Sequence, residues 1–117
     1  MRAASALLLV LATTLGSASA QDDDQDKALV SKGHRLATAI CSACHVATPD
    51  QRDKPILKPP APSFESIVQR KNITSDSLRN FLKTTHRGLD RPKGMPDPSL
   101  MDYQITEVIA YILSLRK

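Results

Sequence analysis

The stretch Cys41-Ser42-Ala43-Cys44-His45 decides how this sequence is interpreted. Before it, small and apolar side chains recur every three or four positions over residues 28–44, which predicts a first helix that ends near His45. After it, five prolines between residues 49 and 62 predict a stiff loop. The five-residue motif is therefore expected at the end of a helix and at the start of a long loop.

The motif contains the only two cysteines of the chain, two residues apart and followed directly by a histidine. C-x-x-C-H is the attachment signature of c-type haem, because two thiols at this spacing can add across the two vinyl groups on one porphyrin edge. The next imidazole can then reach the iron. Cys41 and Cys44 are thus candidate covalent anchors of one haem c, and His45 is a candidate axial ligand.

Three other uses of the motif fit its surroundings less well. A redox-active C-x-x-C normally opens a helix after a strand, whereas this one closes a helix. A zinc site would crowd Cys41, Cys44 and His45 on one tetrahedral ion, and neither His34 nor His86 offers a matching spacing. A structural disulfide between the two cysteines would be strained and would leave the following histidine without a role.

Three further helices are predicted after the proline-rich loop. A short one starts at Pro62-Ser63, a third is capped by Thr74 or Ser75, and a C-terminal helix covers residues 102–115. Their buried faces are predicted to consist of Phe64, Ile67 and Val68, then Leu78, Phe81 and Leu82, then Ile105, Val108, Ile109, Ile112 and Leu113. Residues 84–101 are predicted as a second loop, and no alternation typical of a strand is found. The predicted fold class is all-α, with about four helices and two long loops.

Residues 1–20 have the pattern of a cleaved secretory signal peptide. Arg2 supplies a positive start, residues 6–15 are mostly apolar, and Ala18-Ser19-Ala20 precedes the expected cleavage point. The apolar run is well short of the ~20 residues of a membrane-spanning helix, so we expect export to the periplasm and no membrane span. Residues 21–27 are predicted to be an acidic flexible tail, and residues 28–117 to form a single domain.

The charge of the chain is unevenly distributed. The formal net charge is +4, yet residues 21–27 hold four aspartates, so the remainder is more basic than the total indicates. Export, and the lack of a basic run with interleaved aromatic residues, argue against nucleic acid as a partner. We therefore expect acidic redox protein partners, with a merely solvated basic surface as the alternative.

Taken together, these features resemble those of the small bacterial class I cytochromes c, and the resemblance covers residues 28–117. Gly33 and Ala37 stand eight and four residues before Cys41, which is similar to the N-terminal helix of that family. The resemblance implies that Gly33 lets the C-terminal helix cross closely, with Tyr111 as the aromatic partner. It also implies the cytochrome c fold, in which helices and loops wrap around one covalently bound haem.

The resemblance also suggests a second axial ligand. In the family this ligand usually comes from a Met-Pro on the loop before the last helix, and Met95-Pro96 matches that pattern. Met101 and His86 are the rivals: Met101 is expected to pack or lie exposed just ahead of the last helix, and His86 would give bis-histidine ligation. His34 is expected to be a surface residue.

A further expectation from the family concerns the orientation of His45. Pro62 is similar to the family proline whose carbonyl accepts a hydrogen bond from the axial imidazole, although Pro59 or Pro60 could take that role in this longer loop. The cations Arg87, Arg91 and Lys93 beside Met95 could hold a haem propionate or face a partner.

The function implied is that of a soluble periplasmic one-electron carrier with His/Met axial ligation. It is not expected to be an enzyme, because six-coordinate iron has no open position and no acid, base or nucleophile constellation is found. Such a carrier would be a monomer or form transient complexes. The alternatives are a cytochrome c subunit of a larger dehydrogenase or oxidase, a five-coordinate haem protein that binds or senses a gas, and a small disulfide-containing binding domain without haem.

Overall fold

The computed structural model describes residues 18–84 and 94–117. Its helices are α1 (Ala18–Leu36), α2 (Phe64–Val68), α3 (Ser75–Thr84) and α4 (Asp102–Ser114), and a π-helical segment, Ala37–Cys41, continues α1. Within the described ranges there is no β-strand, only an isolated parallel bridge between His45 and Ala61. The prediction of an all-α fold with four helices is confirmed.

Helix α1 begins earlier than predicted. Residues 21–27, expected to be a flexible acidic tail, are helical and fully solvated. Within this exposed part of α1, Asp24 pairs with Lys27 at 3.8 Å. The helical conformation of residues 21–27 is a finding of the structure, and their flexibility stays a prediction. The signal peptide, most of which lies outside the described residues, stays a prediction, as does the domain boundary at residue 28.

The crossing of α1 and α4 forms the centre of the fold. A Cβ atom placed on Gly33 would lie 2.6 Å from the backbone carbonyl carbon of Glu107 and 2.7 Å from Cβ of Tyr111. Both distances are too short for any side chain, so the helices can approach this closely only over a glycine. The expected pairing of Gly33 with Tyr111 is confirmed.

Helices α2 and α3 close the core around α4, and side chains cap both. Ser63 Oγ accepts a hydrogen bond from Ser66 N at 3.2 Å, and Thr74 Oγ1 accepts one from Ser77 N at 3.1 Å. The buried apolar residues are Ala37, Ala47, Phe64, Val68, Leu78, Ile105, Val108, Ile109, Tyr111 and Ile112. Most of these residues lie on the helix faces that the sequence predicts to be buried.

Phe81 is an exception among the predicted inner residues, since 41% of its surface is exposed. The face of α3 towards the core is centred between Leu78, which is buried, and Leu82, which is partly buried. Because successive residues turn by about 100° around a helix, Phe81 falls at the edge of that face. The prediction that it lies in the core is wrong.

Polar contacts fix α3 to the start of α4. Arg79 donates a hydrogen bond to Thr106 Oγ1 at 2.8 Å, and Lys83 Nζ lies 2.7 Å from a carboxylate oxygen of Asp102. These contacts tie the end of the second loop to the rest of the fold, which places the segment before α4 close to α3.

Candidate functional site

The helix widens from an α-helix to a π-helix where α1 reaches the cysteine motif. Ser42 N donates to Ala37 O at 3.1 Å, a reach of five residues instead of the four of an α-helix. The side chains of Thr38 and Ser42 donate to the carbonyls four residues before them, at 2.9 and 2.6 Å, and so compete for the helical acceptors. The helical segment thus ends at Cys41, close to His45 as predicted, but its α-helical part ends at Leu36 and a π-helical turn that was not predicted follows.

A tight turn then brings the two cysteines together. Cys44 N and His45 N both donate to Cys41 O, at 3.2 and 3.0 Å. Both cysteines are partly buried and they form no disulfide. Burial, reinforced by the charge of Cys44, raises the pKa of the Cys41 thiol to about 11, so it stays protonated at neutral pH. A protonated thiol is a poor nucleophile, which does not fit a thiol-exchange site.

His45 is held in one orientation by the loop. It is only 7% exposed, and its Nδ1 lies 2.7 Å from Pro62 O. A carbonyl can only accept, so Nδ1 carries the proton and donates, which leaves the lone pair on Nε2. Nε2 forms no hydrogen bond with any residue in the described parts of the chain. Pro62, rather than Pro59 or Pro60, makes this contact.

The ring of His45 also packs against an aromatic side chain. Its centroid lies 5.4 Å from that of Phe64, the first residue of α2, and the two rings are tilted by 54°. Phe64 N in turn donates to Val46 O at 3.1 Å, which fixes the start of α2 beside the motif. The imidazole is therefore positioned from two sides, by the Pro62 carbonyl and by a buried aromatic ring.

The proline-rich loop folds back along the motif. Ile56 N donates to Ala43 O at 2.9 Å, and Ala61 N donates to Cys44 O at 2.9 Å. The returning segment is thus hydrogen-bonded at Ile56 to Ala43, which lies between the cysteines, and at Ala61 to Cys44. This return brings Pro62 within reach of His45.

Gln51 closes this loop from inside, and the sequence contains no signal that singles it out. Its Oε1 accepts from Ala47 N at 2.9 Å, while its Nε2 donates to Ser42 O at 3.2 Å and to Asp53 O at 2.8 Å. One side-chain amide therefore connects the cysteine turn, the residues after His45 and the descending part of the loop.

His34 was expected to be a surface residue, and the structure gives it a larger role. Its ring meets that of Tyr111 edge-on with centroids 5.2 Å apart, and its Nε2 lies 2.8 Å from Asp50 Oδ1. The hydrogen bond from His34 is the main reason that the pKa of Asp50 is lowered. Tyr111 donates to Ala47 O at 3.3 Å, and burial raises its pKa to about 12. His34 thereby links α1, α4 and the loop.

Met95 lies on the segment before α4 and is partly buried. In the same segment Asp97 Oδ1 accepts from Ser99 N at 2.8 Å, and Ser99 has a φ of 51°. Met101 is 64% exposed, in line with the expectation that it packs or lies exposed. His86 lies outside the described residues, as do the cations Arg87, Arg91 and Lys93.

The donor set fits a covalently attached haem. Two cysteines without a disulfide flank Ser42 and Ala43, and the imidazole beside them keeps one nitrogen available. Large apolar side chains on and near the motif are at least 40% exposed, namely Ile40, Val46, Ile56 and Leu57. In the described part of the chain no group of three His, Cys, Asp or Glu residues could hold a metal ion. Among the described helices none is long and apolar enough to cross a membrane.

The chain is similar to known proteins over nearly its whole length. The family model described as Cytochrome c matches residues 30–116. Cytochrome c-552 of Bradyrhizobium diazoefficiens is 34% identical over 110 residues, which cover 94% of this chain and 92% of that protein. No solved structure gives a significant match.

Proposed function

The chain belongs to the cytochrome c family and binds covalent haem c, and we propose that it is a soluble periplasmic one-electron carrier with His45 and Met95 as axial ligands. Electron transfer between redox partners is the activity of the family. When bound, haem c supplies reversible one-electron exchange between ferric and ferrous iron. The residues of the chain have to attach the haem, orient its ligands and present it to partners.

The observation that carries the proposal is the 2.7 Å contact between His45 Nδ1 and Pro62 O. It fixes the tautomer and the ring orientation, and it leaves the lone pair on Nε2, the atom proposed to bind iron. Cys41 and Cys44, on the turn just before His45, are the residues proposed to form the two thioether bonds. This arrangement supports the roles assigned to all four residues.

Met95 is proposed as the ligand on the other side of the haem. It is partly buried and is followed by Pro96, whereas Met101 is exposed at the start of α4. A thioether is a soft, neutral ligand that favours ferrous iron, so His/Met ligation gives a higher reduction potential than bis-histidine ligation. A high potential would suit a carrier late in an electron-transfer chain.

The proposed compartment and partners rest on the sequence. The signal-peptide pattern of residues 1–20 supports export, and the basic remainder supports acidic redox proteins as donor and acceptor. A carrier has to release its partner quickly, so a small interface and a transient complex are expected.

An absorption experiment tests the ligands. Spectra of the haem-loaded protein are recorded oxidised, reduced, and reduced with carbon monoxide, for the unchanged chain, Met95→Ala and Met101→Leu. We expect a low-spin ferrous spectrum that carbon monoxide does not change, and the weak far-red ferric band of sulfur ligation. Met95→Ala should lose that band and bind carbon monoxide, whereas Met101→Leu should behave like the unchanged chain.

Other outcomes would contradict the proposal. Carbon monoxide binding by the unchanged chain would favour the five-coordinate gas-binding alternative. If Met95→Ala leaves the spectrum unchanged while His86→Ala alters it, the ligation is bis-histidine. Purification in a stable stoichiometric complex with a dehydrogenase or oxidase would favour the subunit alternative over a free carrier.

A further inference from the structure

Gln51 forms hydrogen bonds on both sides of His45 in the chain. Its Oε1 accepts from Ala47 N at 2.9 Å, and its Nε2 donates to Ser42 O at 3.2 Å. Ser42 comes before His45 in the chain and Ala47 comes after it. Residues 42–47, here called the His45 arc, are therefore held at both ends by one side-chain amide.

The bond to Ala47 satisfies a buried backbone donor. Ala47 is only 1% exposed, so its N–H is shielded from bulk water. Loss of the acceptor of a buried N–H destabilises the folded state, because no water takes the place of that acceptor. The backbone conformation just after His45 therefore depends on the Gln51 amide.

The same amide ties the His45 arc to the outgoing part of the proline-rich loop. Gln51 Nε2 also donates to Asp53 O at 2.8 Å, and Gln51 N donates to Thr48 O at 3.2 Å. A primary amide is suited to this position because it offers two N–H donors and one acceptor oxygen on a single planar group. Gln51 uses all three kinds of contact on backbone groups.

The returning part of the loop is bonded to the same arc. Ala61 N donates to Cys44 O at 2.9 Å. In the next pair of residues, Pro62 O lies 2.7 Å from His45 Nδ1. The returning segment thus takes its register from the His45 arc, and a shift of the arc would move His45 away from the Pro62 carbonyl.

We propose that Gln51 is a positioning residue for the axial ligand: by holding the His45 arc, it keeps the Nδ1–H of His45 on the Pro62 carbonyl and so fixes the plane of the imidazole. This role rests on the proposed function, in which His45 binds the iron. The partner of the second nitrogen of a ligating histidine sets its tautomer and orientation. Gln51 acts one step further out, through the backbone that brings the two groups together.

The test compares Gln51→Met with Gln69→Met in the haem-loaded full chain. Methionine has a similar length but lacks the amide, and Gln69, the C-cap residue of α2, is exposed. In the ferrous protein, NMR follows the exchange with water of the His45 ring N–H and of the Val108 amide in α4. Gln51→Met should make the ring N–H exchange about tenfold faster, the factor expected when one ordinary hydrogen bond is lost. The Val108 amide should not change, and Gln69→Met should change neither.

A second readout follows the orientation of the ring. In the ferric protein, the NMR shifts of the haem methyl groups depend on the direction of the axial imidazole plane. Gln51→Met should change the spread of these shifts, and Gln51→Glu should do the same at neutral pH, because a carboxylate cannot donate to Ser42 O or Asp53 O. As the pH falls and this carboxyl takes up a proton, Gln51→Glu should move back towards the unchanged chain measured at the same pH. Gln51→Glu keeps the shape of the side chain and carries the test if Gln51→Met does not mature.

Three results would overturn the role of Gln51. If Gln51→Met accelerates exchange of the His45 ring N–H and of the Val108 amide by the same factor, Gln51 contributes only to global stability. If neither ring N–H exchange nor the haem methyl shifts change, the His45 arc holds without Gln51. If Gln69→Met has an equal effect, the response is not specific to this contact.

Failure of the Gln51 role and failure of the proposed function give different results. If the His45 ring protons carry the large ring-current shift of an axial ligand and the haem cycles reversibly, while the Gln51 variants match the unchanged chain, only the role of Gln51 is wrong. If the His45 ring protons show no such shift in the unchanged chain, His45 does not bind the iron, and both proposals fail.

Discussion

Gly33 shows how one residue can permit an entire helix pair. Its missing side chain leaves room for the backbone of α4 at Glu107, which approaches α1 at a distance that no Cβ allows. Beside it, Lys32 Nζ lies 3.8 Å from Glu107 Oε1, a carboxylate that is otherwise buried. The close approach of α4 to α1 at Gly33 therefore lies next to an ion pair that compensates the buried charge of Glu107.

Replacing Gly33 by Ala is expected to destabilise the protein. Alanine improves helix propensity by about 1 kcal/mol. Overpacking costs about 1–3 kcal/mol, and the upper end applies because the clash is with backbone. The free energy of unfolding, measured by denaturant titration of the haem-loaded protein, should fall by about 2 kcal/mol. Ser31→Ala, an exposed change on the same helix, serves as the control, and a G33A variant as stable as this control would contradict the argument.

At the scale of elements, the start of α4 carries half of a capping box. The backbone N–H of Met101 donates to Gln104 Oε1 at 2.9 Å, whereas the backbone N–H of Gln104 meets only the thioether of Met101, which is a weak acceptor. Its φ and ψ of −69° and 156° are those of a normal N-cap residue. The backbone of Met101 therefore has the N-cap conformation, but its side chain supplies no strong hydrogen-bond acceptor.

Met101→Thr is expected to complete the capping box and stabilise the protein. A threonine hydroxyl could accept from the backbone N–H of Gln104, and such a cap contributes about 1 kcal/mol. Thermal unfolding of the haem-loaded protein should shift upward in Met101→Thr and stay unchanged in Met101→Leu, which lacks the hydroxyl. Loss of the sulfur-ligation band in either variant would mean that Met101 binds the iron.

At the scale of the whole molecule, two carboxylates link separate elements of the fold. Asp50 accepts from His34 of α1, and Asp102 of α4 pairs with Lys83 of α3. In each case the pKa of the carboxyl is lowered, chiefly by the hydrogen bond from that partner. Each pair joins residues from different elements, so the lowered pKa of each carboxyl exists only while the chain is folded.

These pairs predict how stability depends on pH. Both carboxyls have a lower pKa when folded than the value of about 3.9 in the unfolded chain. Their contribution is therefore present above about pH 4 and is lost as the pH falls through the folded pKa. Urea unfolding below about pH 5 should show a smaller loss of stability on acidification in Asp50→Asn and Asp102→Asn. Lys83→Met should reproduce the effect of Asp102→Asn, and parallel pH profiles for all chains would contradict this account.

The sequence by itself determined the chemistry of the motif and the order of the helices. C-x-x-C-H predicts haem attachment because the spacing of the thiols is a covalent requirement, independent of the rest of the fold. The periodic apolar stripe of α4 predicts its buried face, since a helix repeats every few residues whatever it packs against. Gly33 and Tyr111 were recognised through the family resemblance, because a glycine within a helix has no local advantage.

Only the tertiary structure decided which distant groups meet. Three sets of contacts depend on how the loop folds back. They are the hydrogen bond of Pro62 rather than Pro59 or Pro60 to His45, the hydrogen bonds of the Gln51 amide, and the contacts of His34 with Asp50 and Tyr111. Phe81 fell at the edge of the core because the direction of α3 relative to α4 is a packing outcome. The π-helical turn arose from side-chain hydrogen bonds that compete with the helix. The contacts of Pro62, Gln51 and His34 join residues that lie apart in the chain, and the π-helical turn depends on a balance of small opposing energies. Such features leave no periodic pattern in the sequence.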